Sequence, residues 1–168
     1  MQNAKDTFYT MLQGRLAALN PARTIVVRGT VRPGVVVEEN ELPASSPPAD
    51  CFRLRWTKLE VVSTSPLPFV AMSCAIAYAT DGTDGNVSMD RGRLLAAMDA
   101  ELAAALTVQP RSKAKLNYST AGVGVAPVAM GTNIFWADPA FGPVAVVDER
   151  LERTATVEVF AYQEAGEL

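Results

Sequence analysis

The chain has 168 residues, of which 49% are hydrophobic and 20% are charged, and its formal net charge is −3. This composition is typical of a globular protein. It excludes wholesale disorder, and it gives no overall positive charge for binding nucleic acid. The length suits a single domain over residues 1–168, because two hydrophobic cores would be cramped in so short a chain.

The chain contains no histidine, which removes the usual general base, the Ser-His-Asp triad and the commonest ligand of transition metals. The two cysteines, Cys51 and Cys74, form no spaced motif, a pattern typical of free thiols in a reducing compartment. The longest nearly apolar run, residues 69–79, is shorter than the ~20 residues that cross a bilayer. Residues 1–13 also lack the apolar core of a signal peptide. We therefore expect no enzymatic activity, no metal, no cofactor and no membrane contact.

The N-terminal part of the chain predicts a helix followed by a pair of strands. Residues 6–19 carry apolar side chains at helical spacing, and Asn20 before Pro21 ends the pattern, since a residue before proline avoids the helical region. Residues 24–31 and 35–39 predict strands joined by a turn at residues 32–34. The helical stripe consists of Phe8, Leu12, Leu16 and Leu19.

The middle of the chain predicts a Pro-rich loop and two strands. Residues 40–50 hold three prolines and two serines, which is typical of a solvated loop. Residues 52–62 alternate in hydrophobicity with one change of phase, which predicts a β-bulge near Thr57 and Lys58. Residues 69–80 alternate large and small side chains. This pattern predicts a central strand covered on both faces, with its small side close under a helix.

Residues 88–108 have the spacing of the longest helix in the chain. Ser88 or Asp90 can cap its start, and Pro110 lies just beyond its end. Its apolar stripe consists of Leu94, Leu95, Met98, Leu102, Ala105 and Leu106. The expected fold is therefore α+β: a mixed or antiparallel sheet with one long central helix, and an N-terminal helix packed on it.

The C-terminal third predicts short strands around one unusual segment. Strands are expected at residues 113–118, 133–136, 144–147 and 153–162. Between the first two, residues 119–131 are apolar and rich in Gly and Ala, with neither a helical nor a strand period. An apolar segment without a period has no obvious place in the core of its own subunit. We therefore predict that it is an interface loop.

Two short motifs in the chain match known sites incompletely. Gly122 and Gly124 are typical of a phosphate-binding loop, but a third glycine, a P-loop lysine and a following helix are missing. Asp81, Asp84 and Asn86 are typical of a calcium loop, but Gly92 stands where the bidentate Glu is needed. A mobile or interface loop and a plain turn are the better interpretations.

Two charged clusters also have simpler explanations than a functional site. Glu38, Glu39 and Glu41 form an acidic cluster. If the strand continues, Glu39 and Glu41 share a face and would be a carboxylate pair for catalysis, or the cluster would keep the edge of a sheet soluble. Arg53, Arg55 and Lys58 alternate with Phe52 and Trp56. They would line a nucleic-acid groove, or form the solvent face of a strand.

The order of elements resembles that of the tail terminator proteins of long-tailed bacteriophages, with their relatives in prophages and phage-derived particles. The matching stretches are LAALNP at the end of the first helix, RPGVVVEENE, IAYATDG, DRGRLLAAMDAEL at the start of the second helix, GTNIFW and RTATVEVFAYQE. The resemblance covers most of the chain.

The resemblance implies an α+β fold and a hexameric ring that caps the tail tube, stops its growth and joins it to the head. The partners would be further copies of the chain, the tail tube protein and a head-completion or neck protein. The location would be the virion tail or a phage-like particle, assembled in the bacterial host cytoplasm. The resemblance implies no catalytic residues, no cofactor and no sequence-specific nucleic acid.

Three hypotheses follow, and the first is a ring-forming structural assembly protein of this kind. The second is a small ligand-binding α+β domain of a bacterial or phage protein, with the glycine-rich loop over a pocket. The third, which we rank last, is an enzyme that uses carboxylates or lysine. Under the first hypothesis the subunit interface is expected at Val123, Val125, Pro127, Val128 and Met130.

Overall fold

The computed structural model describes residues 1–41, 48–63, 67–83, 89–119, 121–122, 125–165 and 167. These residues form a mixed α/β structure that is mostly sheet, with two helices. The helices are α1 (Gln2–Leu19) and α2 (Asp90–Thr107). The strands are β1 (Thr24–Val27), β2 (Thr30–Pro33), β3 (Val35–Val37), β4 (Phe52–Val62), β5 (Phe69–Thr80), β6 (Ser112–Asn117), β7 (Val128–Trp136), β8 (Ala140–Phe141), β9 (Ala145–Val147) and β10 (Arg150–Tyr162).

Eight of the strands form one curled mixed sheet in the order β3-β4-β5-β10-β7-β6. The short strands β8 and β9 also pair with β10, on the side that β7 occupies further along. The pair β3–β4 is parallel, and the other pairs of this sheet are antiparallel. Strands β1 and β2 form a separate two-stranded sheet.

The centre of the sheet is the antiparallel pair β5–β10, whose register runs from Leu151 opposite Thr80 to Tyr162 opposite Phe69. The predicted alternation on β5 is confirmed, because the large side chains share one buried face. They are Val70, Met72, Cys74, Ile76 and Tyr78. They pack against both helices in one hydrophobic core.

The helices cover the side of β5 opposite to the one that the sequence suggests. Both α1 and α2 contribute to the core that contains the large side chains. The small side chains lie on the other face, where Ala71, Ala75 and Ala77 stay half-buried. The prediction of a helix close over the small face was therefore wrong: apolar area buried, rather than close approach, decides which face a helix covers.

The two helices have the same length of 18 residues, so a single long central helix is not confirmed. Helix α1 begins four residues earlier than predicted. Helix α2 begins at Asp90, which accepts hydrogen bonds from Thr83, and Ser88 lies outside the described residues. The buried side chains of α2 follow the predicted stripe except for Leu94, which is half-buried.

Polar contacts fix the two helices to each other and to the sheet at the carboxyl end of α2. The Arg15 guanidinium donates to the Ala105 carbonyl at 2.8 Å and lies over the Trp136 ring. The Trp136 indole N–H donates to the Leu106 carbonyl at 2.9 Å. Both contacts satisfy last-turn carbonyls that the helix itself leaves without donors.

Helix α1 also covers the outer edge of strand β6. The Thr7 hydroxyl accepts a hydrogen bond from the backbone N–H of Leu116 at 3.0 Å, and the Asn3 side chain accepts one from Tyr118 N–H at 3.2 Å. These N–H groups would otherwise be available to a foreign strand. The edge at β6 is therefore closed by the chain's own helix.

Strand β4 contains the predicted β-bulge. Trp56 pairs with Cys74 and Lys58 with Ser73, so Thr57 is the extra residue. The first turn was placed wrongly, however. The stretch 24–31 divides at Arg28 and Gly29, whose φ angles of 49° and 79° make the two-residue turn typical of β-hairpins.

Candidate functional site

The predicted interface segment 119–131 contains the tip of the hairpin formed by β6 and β7. Gly122 and Val125 exchange backbone hydrogen bonds at its end, and Val128 already pairs with Asn117 in the sheet. The interpretation as a loop without a period was therefore wrong for residues 128–131, which belong to β7. None of the described residues in 119–131 is buried, so no core-facing side imposes an alternation on this segment.

The predicted interface residues differ in how far they are exposed. Val125 and Val128 are exposed, whereas Pro127 and Met130 are half-buried. Val123 lies outside the described residues. Two of the predicted side chains are therefore available to a neighbouring molecule.

A carboxylate holds the base of this hairpin in place. Glu164 accepts hydrogen bonds from the Thr132 hydroxyl at 2.6 Å and from the backbone N–H groups of Gly131 and Thr132. The Thr132 hydroxyl is the main reason why the pKa of Glu164 lies below its ordinary value, and the two N–H groups act in the same direction. Glu164 thus ties the β7 side of the hairpin to the C-terminal segment.

A second apolar surface was missed by the sequence reasoning. Residues 140–147 contain no charge and run along β10 as β8 and β9. We call them the apolar edge segment. Phe141 is 38% exposed and Val146 is 73% exposed, while Val144 and Val147 are also exposed. Within the described residues, β8 and β9 pair with β10 alone, so their outer edge carries no strand.

Local chemistry explains the course of the apolar edge segment. The Gly142 N–H donates to the Thr154 carbonyl at 2.9 Å, and a Cβ at Gly142 would lie 2.9 Å from that same oxygen. Only glycine therefore fits between β8 and β10. Asp148, at a φ of 52°, then turns the chain from β9 into β10. The run of eight uncharged residues was the signal that could have revealed this surface.

The hairpin β1–β2 presents a third apolar surface. Val26 and Val31 are opposite each other in its register and are 65% and 66% exposed. A cleft of about 260 Å³ separates β1 from β3, with Ile25 and Val36 among its lining residues. The hairpin therefore stands beside the β3 end of the large sheet. Its tip carries the exposed Arg28.

The open, small-residue face of the sheet holds a groove of about 310 Å³. Ala75 and Ala77 lie in it, with Arg53 and Arg55 on one side and Thr154 on the other. Arg53 is 3.8 Å from Glu38. Arg53 and Arg55, which belong to the basic stretch noted in the sequence, therefore line a groove of mixed charge. Lys58 forms an exposed ion pair with Glu60 at 2.8 Å.

The three neighbouring carboxylates at residues 38–41 form separate ion pairs. Each is placed next to a different cation: Glu38 to Arg53, Glu39 to Lys5 and Glu41 to Arg32. A general acid and base need environments that separate their pKa values, which separate ion pairs do not provide. These separate ion pairs favour the interpretation that the three carboxylates balance charge at the edge of the sheet.

The cysteines are free and buried. Burial raises the pKa of Cys51 to about 11 and that of Cys74 to about 12, so neither thiol is a nucleophile near neutral pH. No group of three or more His, Cys, Asp or Glu side chains that could hold a metal ion occurs in the described part of the chain. Of the three residues that resemble part of a calcium loop, Asp84 and Asn86 lie outside the described residues, and Asp81 pairs with Arg150.

Neither described helix is long and apolar enough to span a membrane. Comparison with protein-family models and with curated proteins finds no match for this chain. The functional argument therefore depends on the surfaces described above.

Proposed function

We propose that the chain is the subunit of a homo-oligomeric, ring-forming assembly protein of the tail terminator kind. In that role it would cap a tail tube and join it to the head or neck of a phage or phage-like particle. Its partners would be further copies of itself, the tail tube protein and a head-completion or neck protein. The resemblance of sequence and element order gives the kind of assembly, and the exposed apolar surfaces give the physical reason for assembly.

The observation that carries this proposal is the apolar edge segment. A β-edge exposes unpaired N–H and C=O groups, and natural proteins protect such edges with charges, prolines, bulges or a covering element. Strand β6 is covered in this way by α1. By contrast, β9 has no charge on it and leaves Val146 almost fully exposed. An edge of this kind is stable in solution when a neighbouring molecule covers it.

The absence of a catalytic role belongs to the same proposal. The carboxylates at residues 38–41 are balanced one by one, and both thiols have raised pKa values. Hydrogen bonds of the Arg15 and Trp136 side chains hold the described helices to each other and to the sheet, which favours a rigid subunit. Rigid subunits with apolar edges are suited to assembly, and nothing in these features requires a cofactor.

The test is the mass of the purified protein by light scattering coupled to size exclusion. We expect a stable species of about six times the 17.9 kDa of one chain, with a ring outline in negative-stain electron microscopy. A monomer that persists at ~100 μM, well above the concentration at which a specific micromolar contact forms, would refute the proposal.

A second candidate function is the binding of a small anionic ligand, and the groove on the open sheet face favours it. Arg55 is exposed there, and no ion pair of its side chain occurs among the described residues. Isothermal titration calorimetry, with inorganic phosphate added to the protein, tests this candidate function. Binding that is lost in Arg55→Gln supports it, and no heat at millimolar phosphate excludes it for simple anions.

A further inference from the structure

We infer that copies of this chain join head to tail, with the apolar edge segment of one copy against the hairpin β1–β2 of the next. The inference rests on the proposed assembly function and adds the surfaces that would meet. Three observations carry it: where the two surfaces lie, what they expose, and what charges stand at their tips.

The two surfaces lie at opposite sides of the large sheet. Strand β3 ends the strand order on one side, and the hairpin β1–β2 stands beside it across the cleft that Val36 lines. The segment with β8 and β9 lies on the side of β10 that faces away from β5. A contact between two different surfaces on opposite sides is heterologous. A heterologous contact closes into a ring when its rotation allows.

Both surfaces expose aliphatic side chains and an unpaired backbone edge. Among the described residues, β1 and β2 pair only with each other, and β9 pairs only with β10. An isolated two-stranded hairpin is marginally stable in water. An added strand or a covering surface would therefore stabilise the hairpin β1–β2. The pair Val26 and Val31 matches the apolar character of Val144 and Val146.

The charges at the two tips are complementary. The turn of β1–β2 carries exposed Arg28, and the turn between β9 and β10 carries exposed Asp148 and Glu149. Glu149 lies 4.0 Å from Arg91, and its side chain is 96% exposed. Complementary charges guide the encounter and select the register. An edge-to-edge or hairpin-to-hairpin contact would leave these charges without opposite partners.

The inference is tested with two charge variants that keep the turn geometry. Arg28→Asp places a residue that tolerates positive φ at that position, and Asp148→Asn does the same in the double variant D148N/E149R. Each variant alone should weaken assembly at least tenfold, measured as the dissociation constant by sedimentation. A variant that combines all three changes should assemble as the wild type does.

A mixture of the two charge variants gives the sharpest test of the contact. An equimolar mixture of R28D and D148N/E149R chains should recover assembly, because every contact in an alternating ring then joins opposite charges. Lys113→Asp is the matched control, since Lys113 is exposed on β6, a strand that belongs to neither surface, and should leave assembly unchanged. Circular dichroism establishes that each variant is folded, and the two charge variants test the contact from its two sides.

The outcomes separate the inference from the proposed function. A wild-type chain that remains a monomer refutes both. A wild-type ring whose assembly is unaffected by R28D and D148N/E149R refutes the inference alone. Loss of assembly that neither the mixture nor the combined variant restores also overturns it, because the charges then act on separate partners. A closed species of two copies would show a two-fold contact and refute head-to-tail growth.

Discussion

Replacement of Lys115 by methionine tests whether a buried charge cluster supports the sheet. Lys115 is fully buried in β6, and its ammonium donates at 2.6 Å both to the Tyr162 carbonyl and to the Glu167 carboxylate. Glu164 lies 3.6 Å away. Methionine fills a similar volume without charge, so K115M removes the cation while it keeps the packing.

The expected loss follows from what remains around Glu167. Breaking a buried ion pair on one side costs about 3–5 kcal/mol, because the other charge stays buried. Glu167 is 8% exposed, but the Met1 amine still lies 3.5 Å from it. We therefore expect K115M to lower the free energy of unfolding by about 3 kcal/mol, at the lower end of that range. The double variant K115M/E167L should recover most of the loss, since an apolar pair can replace a buried ion pair.

Lys58→Met is the matched control. The Lys58–Glu60 pair has nearly the same N–O distance, 2.8 Å, but its side chains are more than half exposed. Exposed pairs contribute about 0–1 kcal/mol, so K58M should change stability by less than about 1 kcal/mol. The assay is urea unfolding followed by tryptophan fluorescence, at one protein concentration for all variants because assembly shifts apparent stability. A K115M loss no larger than that of K58M would refute the reasoning.

The remaining predictions concern the core, the interface, pH and metal. Leu102→Ala should destabilise by about 2–5 kcal/mol, because Leu102 is fully buried; a loss below about 0.5 kcal/mol in urea unfolding would contradict its place in the core. Val125→Asp should weaken assembly and leave the circular dichroism spectrum unchanged, because Val125 is exposed in the subunit; normal sedimentation of this variant would exclude Val125 from the interface. Burial raises the pKa of Cys51 to about 11 and that of Cys74 to about 12, from an ordinary 9.0. The unfolded chain therefore releases these protons first, and the free energy of unfolding should fall as pH rises above about 9, by up to ~1.4 kcal/mol per pH unit for each thiol. C51A should make this slope shallower, and an equal slope in both proteins would contradict the assignment. Thermal melts with chelator and with added calcium should coincide, and a rise of several degrees with calcium would indicate a site at residues 81–86.

Local patterns predicted much of the fold. The apolar stripe of α2 and the alternation on β5 are properties of one segment each, and both are found in the structure. The bulge at Thr57 follows from a change of phase within a single strand. Periodicity shows which residues of an element share a face, and this information lies within the element itself.

Other features depend on segments far apart in the chain. The sequence predicted only a short strand at residues 113–118. The burial of Lys115 within it depends on Glu167, 52 positions later. The face of β5 covered by the helices depends on how much apolar area each face offers to them, which alternation alone does not measure. The turn at Arg28 was missed because a positive φ at arginine has no signal in the residue type.

The absence of periodicity at residues 119–131 predicted an interface loop, and the interface assignment stays a prediction. In the structure Val125 and Val128 are exposed, and residues 128–131 belong to β7. The same reasoning overlooked residues 140–147, because short strands with apolar residues on both faces are typical of a buried position. Whether such a strand is buried or lies at an edge depends on the strand order, which is set by the whole chain.

The position of β10 at the centre of the sheet has a consequence for the order of folding. Strand β4 pairs with one edge of β5 and precedes it in the chain, but β10, which pairs with the other edge, begins only at Arg150. During synthesis, β5 and α2 leave the ribosome before β10 exists, with a long hydrogen-bonding edge and an incomplete core. Such non-local pairing makes folding slow and exposes the nascent chain to aggregation. A chain truncated before residue 150 should therefore fail to form the central strand pair, and it should aggregate more readily than the full chain.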